Sequence, residues 1–157
     1  MSYIKTETSD EELMNFSVPT INQYDYKPAK WILTQELHNS LDKAWESYQQ
    51  FWEGTKESFL DKFKGFTIYP LKNKNGVIGC SVVKDNEIHV FATEHFYMRN
   101  YIRSILIPLF DKYEEVVSTV HKDNVKGLEY VTRLGFKPYK QINNTIYIRI
   151  TKNGLCC

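Results

Sequence analysis

The sequence predicts an α+β domain in which a mostly antiparallel, mixed sheet of about seven strands is flanked by helices. Short β-rich segments separated by Asn-Gly and Asp-Asn turns occupy residues 65–92, and similar segments recur over residues 136–150. Segments in which apolar residues recur at helical spacing lie before and between these strands, which excludes an all-β or an all-α arrangement. A chain of 157 residues is expected to form one domain, residues 1–157.

The N-terminal third is predicted to contain one strand followed by helices. Residues 2–8 alternate as a short strand does, and Ser9 with Glu12 forms a capping box for a short helix. Pro28 suits the first turn of a long amphipathic helix over residues 28–52, and a further short helix is predicted over residues 56–64. The aromatic residues of the long helix are interpreted as core: Trp31, Trp45, Tyr48, Phe51 and Trp52.

The middle of the chain is predicted to form three antiparallel strands and a helix. The strands are "GFTIYPLK", "GVIGCSVVK" and "EIHVFA", joined by turns rich in Asn, Asp and Gly. Helical spacing resumes over residues 97–115, where Pro108 removes a backbone hydrogen bond and is expected to kink the helix.

The C-terminal part is predicted to form a strand, a helix and a hairpin. The strand is "VVSTVH", and the helix after it is opened by Asp123 or Asn124 and stopped by Gly135. The hairpin turns at residues 143–144, and Ile146, Ile148 and Ile150 are expected to face inward.

Composition excludes several classes of protein. The net charge of +1 provides no electrostatic footprint for nucleic acid. No apolar run reaches the roughly 20 residues that span a bilayer. The three cysteines, Cys80, Cys156 and Cys157, are not spaced as metal ligands. We therefore expect a cytoplasmic protein with no membrane span, no nucleic-acid partner and no metal site.

The order of elements, together with "DNVKGLEYVTRLGFK" over residues 123–137, resembles the GNAT superfamily of acetyl-CoA-dependent N-acyltransferases. Within it, the chain looks similar to the divergent GNAT-like proteins of T7-like podoviruses. The resemblance implies a GNAT-like fold, acetyl-CoA as cofactor and an amine acceptor on a small molecule or a protein.

The resemblance also implies a cofactor site. The strand "EIHVFA" takes the place of the strand that pairs with pantetheine, and "RNYIRS" takes the place of the pyrophosphate loop, with Ile102 where the family has glycine. Two interpretations stay open: the arginines and backbone N–H groups bind a diphosphate, or this is a helix that packs Ile102 into the core. The implied cofactor residues are Val90, Phe91, Ala92, Arg99, Arg103, Ser104, Asn124 and Gly127.

The resemblance to the family is weaker at the acid–base residues. The family commonly has a tyrosine four residues before Gly135 that protonates the departing thiolate, and this chain has Val131 there. Tyr130 is about 100° away on a helix and is expected to face elsewhere. Candidate general bases that could take a proton from an amine are Glu87, His89 and His121.

Two functions follow from this pattern. The first is an acetyltransferase in which an amine attacks the thioester of acetyl-CoA directly. The alternative is a catalytically silent GNAT-fold phage protein, located in the virion or the host cytoplasm, that binds a protein partner. The departures at Ile102 and Val131 fall at functional positions, which is what the alternative predicts.

Overall fold

A six-stranded sheet forms the centre of the computed structural model. The structure describes residues 31–94 and 98–155, and the side chains at 31–34, 98 and 99 are not described. The helices are α1 (Trp31–Tyr48), α2 (Lys56–Lys62), α3 (Met98–Leu109) and α4 (Val125–Leu134). The strands are β1 (Thr67–Asn73), β2 (Gly76–Lys84), β3 (Glu87–Ala92), β4 (Glu115–His121), β5 (Lys137–Ile142) and β6 (Thr145–Thr151). Short 3₁₀ turns follow α1 at Gln49–Phe51 and β6 at Lys152–Gly154.

The strands lie in the order β1-β2-β3-β4-β6-β5. Every neighbouring pair is antiparallel except β3 and β4, which are parallel. The Asp85-Asn86 and Asn143-Asn144 turns form tight hairpins because Asp85 and Asn143 both adopt a positive φ of 53°. The predicted mostly antiparallel, mixed sheet is therefore confirmed.

Two apolar cores cover the two faces of the sheet. On one face, α1 and α2 pack Leu37, Leu41 and Phe59 against the strands. On the other face, α3 and α4 pack side chains such as Tyr101 and Leu134 against β3, β4 and β6. The sheet is therefore the middle layer of three, which is the usual way for an α+β domain to bury both of its faces.

Several predicted boundaries are shifted. The helix predicted over residues 97–115 ends at Leu109, and Pro108 stands in its last turn, so the missing backbone donor coincides with the end of the helix. The long helix ends at Tyr48 and continues only as a 3₁₀ turn. The seventh predicted strand, the capping box and the terminal cysteines lie outside the described residues.

Within the described residues, no helix has both the length and the apolar character that a membrane crossing requires. The isoleucines of the last strand face the core as predicted, since Ile148 and Ile150 are each 1% exposed and Ile146 packs against the same cluster.

Candidate functional site

The separation of β3 from β4 creates the site. These strands pair only at Glu87 and Val117, where the Val117 N–H donates to the Asn86 carbonyl over 2.8 Å. The Asn86 side-chain amide also donates to the Glu115 carbonyl over 3.1 Å. Beyond this point, residues 88–92 pair with β2 alone in the part of the chain that the structure describes. The β3 edge that faces β4 is thus left open, with backbone groups available for a ligand.

A cavity of about 120 Å³ and a wider groove of about 530 Å³ lie at this separation. The cavity reaches from the aromatic side chains of α1 and α2 to the apolar residues of α4. The groove lies between the end of β3, the end of α1 and the start of α4. The residues that line both spaces, and so place the cavity directly behind the groove, are Tyr48, Val90, Phe91, Asn124, Gly127 and Tyr130.

The residues predicted to contact pantetheine lie along this path. Val90 and Phe91 line both spaces, and Ala92 lines the groove. They belong to the open segment of β3, where an extended amide-bearing chain would find backbone hydrogen-bonding groups. Contact of these three residues with a cofactor stays a prediction.

Asn124 and Gly127 form one local unit at the start of α4. Asn124 is the N-cap, and its side-chain oxygen accepts a hydrogen bond from the Gly127 N–H over 3.0 Å. A Cβ added at Gly127 would lie 2.5 Å from Nδ2 of Asn124. A side chain at position 127 would therefore displace the Asn124 amide from its present position, and both residues also line the groove.

The segment aligned with the pyrophosphate loop is helical. Residues 99–104 lie within α3, and Ile102 is 3% exposed in the core. The Ser104 hydroxyl donates to the Tyr101 carbonyl over 2.6 Å. Arg103 is half-buried on the same helix, outside the lining of both spaces. This burial agrees with the interpretation that Ile102 packs into the core, while diphosphate binding by Arg99, Arg103 and Ser104 stays a prediction.

Glu87 and His89 form a hydrogen-bonded pair on the α1–α2 face of β3. Nε2 of His89 lies 2.5 Å from Oε2 of Glu87. His89 is 6% exposed and lines the cavity. Phe63 and Phe91 lie beside its ring, with centroids 5.5 Å and 6.4 Å away. The two residues alternate with Ile88 along the strand, which is why both point to one face.

The pKa values of the pair are both lowered. Burial lowers the pKa of His89, and the hydrogen bond and charge of Glu87 oppose this only in part. The hydrogen bond from His89 lowers the pKa of Glu87, and burial of the carboxyl opposes it. At neutral pH the pair is therefore a carboxylate and a neutral imidazole. Because a carboxylate only accepts, His89 donates from Nε2, and its Nδ1 is left unprotonated.

Ser118 completes this arrangement from across the separated strands. Ser118 lies on β4, and its hydroxyl is 3.5 Å from Nδ1 of His89. The residue is 9% exposed and lines the cavity. No local sequence pattern identifies Ser118, because its contact with His89 joins residues that are 29 positions apart. Only the register of β3 against β4 reveals it.

The expectation for Tyr130 is wrong. Tyr130 lines both the cavity and the groove, and Val131 lines the cavity beside it. The guanidinium of Arg133 lies 5.9 Å from the centroid of the Tyr130 ring. Tyr130 thus stands at the junction of the two spaces, although helix geometry alone directed it elsewhere.

His121 lies apart from the other two candidate bases. Its Nδ1 accepts a hydrogen bond from the Asp123 N–H over 3.1 Å, and its ring stacks on Phe51 with 5.3 Å between centroids. It is not among the residues that line the cavity or the groove. The structure thus brings Glu87 and His89 together and places His121 at the end of β4, outside the lining of both spaces.

The aromatic residues at the end of the long helix do more than fill the core. Tyr48 and Trp52 line the cavity, and Phe51 lines the groove. Lys62 also lines the cavity, with Nζ 5.7 Å from the Trp52 ring centroid. Helical spacing alone could not distinguish a core position from a cavity wall, because both are apolar.

No protein-family model matches the chain, and no curated sequence matches it significantly. Solved structures do match. A domain from Methanocaldococcus jannaschii has a TM-score of 0.55 and 20% identity, covering 72% of this chain and 92% of that one.

Two further matches have acetyltransferase names. The PaiA N-acetyltransferase from Thermoplasma acidophilum, solved with coenzyme A, has a TM-score of 0.52 and 14% identity, covering 74% of this chain and 91% of that one. Apo FdhC, a nucleotide-linked sugar GNAT, has a TM-score of 0.51 and 13% identity, covering 76% and 84%. At these identities the likeness concerns the fold. The predicted GNAT-like fold is confirmed.

Proposed function

We propose that this protein is an N-acetyltransferase that moves an acetyl group from acetyl-CoA to an amine. The observation that supports this best is the continuous path from the groove, through the open edge of β3, to His89 in the cavity wall, whose imidazole is hydrogen-bonded to Glu87. A similar fold with coenzyme A bound, in the Thermoplasma acidophilum enzyme, adds support. We place the reaction in the cytoplasm.

The groove fits the pantetheine arm of the cofactor. The open β3 edge offers backbone N–H and C=O groups in a row, which suits an extended chain that contains two amide groups. Val90, Phe91 and Ala92 form one wall, and Asn124 with Gly127 forms the other. When bound there, acetyl-CoA supplies a thioester carbonyl that is activated toward an amine.

The Glu87–His89 pair supplies the base. An amine is mostly protonated at neutral pH and must lose a proton before its nitrogen can bond to the acyl carbon. The unprotonated Nδ1 of His89 takes that proton, directly or through the hydroxyl of Ser118. Glu87 holds the ring in the right tautomer and stabilises the imidazolium that forms.

Tyr130 supplies the acid. As the new C–N bond forms and the C–S bond breaks, negative charge develops on the sulfur. The phenol of Tyr130 lies at the junction of groove and cavity, so its proton passes to the departing sulfur. His89 releases the first proton to solvent and then takes the second proton, which the nitrogen carries after attack. This second proton also leaves to solvent while Tyr130 regains one from solvent, so each turnover releases one proton overall.

Titration calorimetry with acetyl-CoA, and with desulfo-CoA as an analogue that cannot react, tests the proposal. We expect binding in the micromolar range and release of free CoA when amines are added. Arg99→Ala and Arg103→Ala ask which interpretation of "RNYIRS" holds, since only diphosphate binding predicts a loss of affinity. No binding at millimolar cofactor would sink the proposal.

The roles of the histidines are tested separately. His89→Gln should retain cofactor binding and lose turnover by about 10²–10⁴-fold, the range for removal of a general base. His121→Gln is the matched control, because His121 lies outside the cavity lining. Comparable losses in both variants would contradict the assignment of the base to His89.

The burial of Ile102 at the position aligned with a family glycine favours the second candidate function. In it, the protein keeps the fold and binds a protein partner, as a virion component or as a factor that acts on a host protein. That candidate predicts no response to acetyl-CoA in the titration above, so the same experiment separates the two.

A further inference from the structure

The cavity has a composition that limits its second substrate. The part of the cavity wall that the groove does not share is aromatic, with Phe59 on α2 and Trp52 and Phe63 on either side of this helix. Phe59 and Phe63 contact each other edge to face, with 5.2 Å between centroids. An aromatic wall favours an acceptor with an apolar side chain, which it binds through dispersion contacts and the burial of apolar surface.

The volume of the cavity sets the size of that body. The cavity measures about 120 Å³, and a protein cavity of about 150 Å³ holds benzene. A branched aliphatic side chain therefore suits this volume, and a single ring is at its upper limit. A bicyclic or longer body exceeds it.

The charges near the cavity set the second requirement. Lys62 lines the cavity, and its Nζ lies over the rings of Trp52 and Phe63 at 5.7 Å and 5.9 Å. No carboxylate of the described residues lies within ion-pair distance of Lys62. The nearby acid, Glu87, is bonded to His89, and Lys84 also acts on it. Lys62 is exposed to solvent at the cavity mouth and makes no ion pair among the described residues, so its charge is available to a ligand carboxylate.

We infer that the acceptor is a small α-amino acid with a branched aliphatic or single-ring side chain, whose carboxylate pairs with Lys62 while its amine faces His89. This inference rests on the proposed function. The amine and the carboxylate of such a substrate share one carbon, so their partners must be close together. Lys62 and His89 line the same cavity and are close enough for the lysine charge to act on the imidazole.

The test measures acetylation of four acceptors by release of CoA: leucine, phenylalanine, glycine and leucinamide. Glycine lacks the apolar body, and leucinamide lacks the carboxylate. Rates are compared per concentration of unprotonated amine, because the amide has the less basic amino group. We expect kcat/KM for leucine and phenylalanine to exceed that for either control at least tenfold.

The variant Lys62→Gln tests the ion pair. It should raise KM for leucine about tenfold and change KM for leucinamide little, with acetyl-CoA binding unaltered. Because the charge of Lys62 also lowers the pKa of His89, kcat should shift alike for the two acceptors, and the ion pair is judged from the difference between their KM values. Lys64→Gln is the matched control, because Lys64 is exposed, pairs with Asp61 at 3.4 Å and does not line the cavity. An effect on leucine in both variants would point to general electrostatics and overturn the role of Lys62.

The outcomes separate this inference from the proposed function. If acetyl-CoA binds and leucinamide is acetylated with the same kcat/KM as leucine, the acceptor does not need a carboxylate. The proposed acetyltransferase function is then still supported. If acetyl-CoA binds and no amino acid is acetylated, the substrate class is wrong, whereas failure to bind acetyl-CoA overturns the proposed function itself.

Discussion

Nε2 of His89 lies 2.5 Å from Oε2 of Glu87, two residues earlier on the same strand, so one short segment of β3 holds both a buried imidazole and its carboxylate partner. His89 lines a largely apolar cavity that opens where β3 separates from β4, and Glu87 stands at the point where the two strands still pair. Burial favours the neutral imidazole, and the carboxylate favours the imidazolium. The balance between these two effects determines how the site responds to pH.

Glu87→Gln should lower the pKa of His89 further. The hydrogen bond and charge of Glu87 raise that pKa, and glutamine keeps an acceptor oxygen without the charge. In the pH profile of kcat/KM, activity is lost as pH falls and His89 becomes protonated, so the acid limb should move to lower pH in the variant. The plateau should also fall, because a less basic imidazole takes a proton less readily.

Titration of His89 by NMR gives the same shift without depending on turnover. Glu46→Gln is the control, because Glu46 is exposed on α1 and pairs with Lys43 at 3.6 Å. An acid limb that stays in place or moves upward in Glu87→Gln would show that Glu87 does not act on the base.

Acid should destabilise the protein through the same histidine. The pKa of His89 is lower in the folded state than its ordinary value, so the unfolded chain binds the proton more readily. Stability should therefore fall as pH drops below about 6.5, the ordinary value for histidine, and before most carboxylates titrate. Urea midpoints between about pH 6.5 and 5 should decline in the wild type and be flatter in His89→Gln. Parallel declines would locate the pH dependence elsewhere.

Asn124 should have two separable roles. Asn124→Ala removes the N-cap acceptor and should cost about 1 kcal/mol of stability. Asn124→Asp keeps an oxygen that accepts from the Gly127 N–H and caps as well as asparagine does. It also replaces the amide NH₂ with negative charge at the groove. Aspartate should therefore retain the melting temperature and weaken acetyl-CoA binding. Equal affinity in Asn124→Asp and wild type would mean that Asn124 only caps the helix.

Ile102→Ala should destabilise the protein without improving cofactor binding. Ile102 is 3% exposed in the core beneath α3, and removing this much buried side chain costs about 2–5 kcal/mol. If the side chain instead blocks the phosphates, alanine should raise affinity for acetyl-CoA. Titration calorimetry well below the melting temperature of the variant distinguishes the two, and tighter binding would contradict the core assignment.

The strands were predictable because their signals are local. Asp85 and Asn143 stand at tight turns with φ of 53°, a conformation that Asp and Asn tolerate better than most residues. Alternation then assigned the inward face of β6, and Gly135 marked the end of α4. Each of these features depends on residues a few positions apart, so a single sequence contains the information.

The site was predictable only in part because it depends on contacts across the fold. Placing Glu87 and His89 on one face needs only strand alternation. The position of Tyr130 depends on how far α4 stands from β3, which no local pattern encodes. Ser118 meets His89 only through the register between β3 and β4. His121 accepts a hydrogen bond from the Asp123 N–H at the end of β4, and its role as a base stays a prediction.

Gly135→Ala should be far more destabilising than Gly76→Ala, although both glycines have nearly the same φ, 113° and 115°. A side chain at such φ costs about 1–3 kcal/mol wherever it occurs, so this strain is common to both variants. At Gly76 an added Cβ meets nothing within 4 Å, whereas at Gly135 it would lie 1.9 Å from the Gly154 carbonyl oxygen. That oxygen belongs to the backbone and cannot rotate away, so the C-cap of α4 or the turn after β6 must shift.

Because α4 forms one wall of the cavity, Gly135→Ala should also weaken acetyl-CoA binding, while Gly76→Ala should leave it intact. Urea unfolding and calorimetry on the two variants measure both effects, and equal losses of stability would show that backbone strain alone explains the need for glycine at position 135.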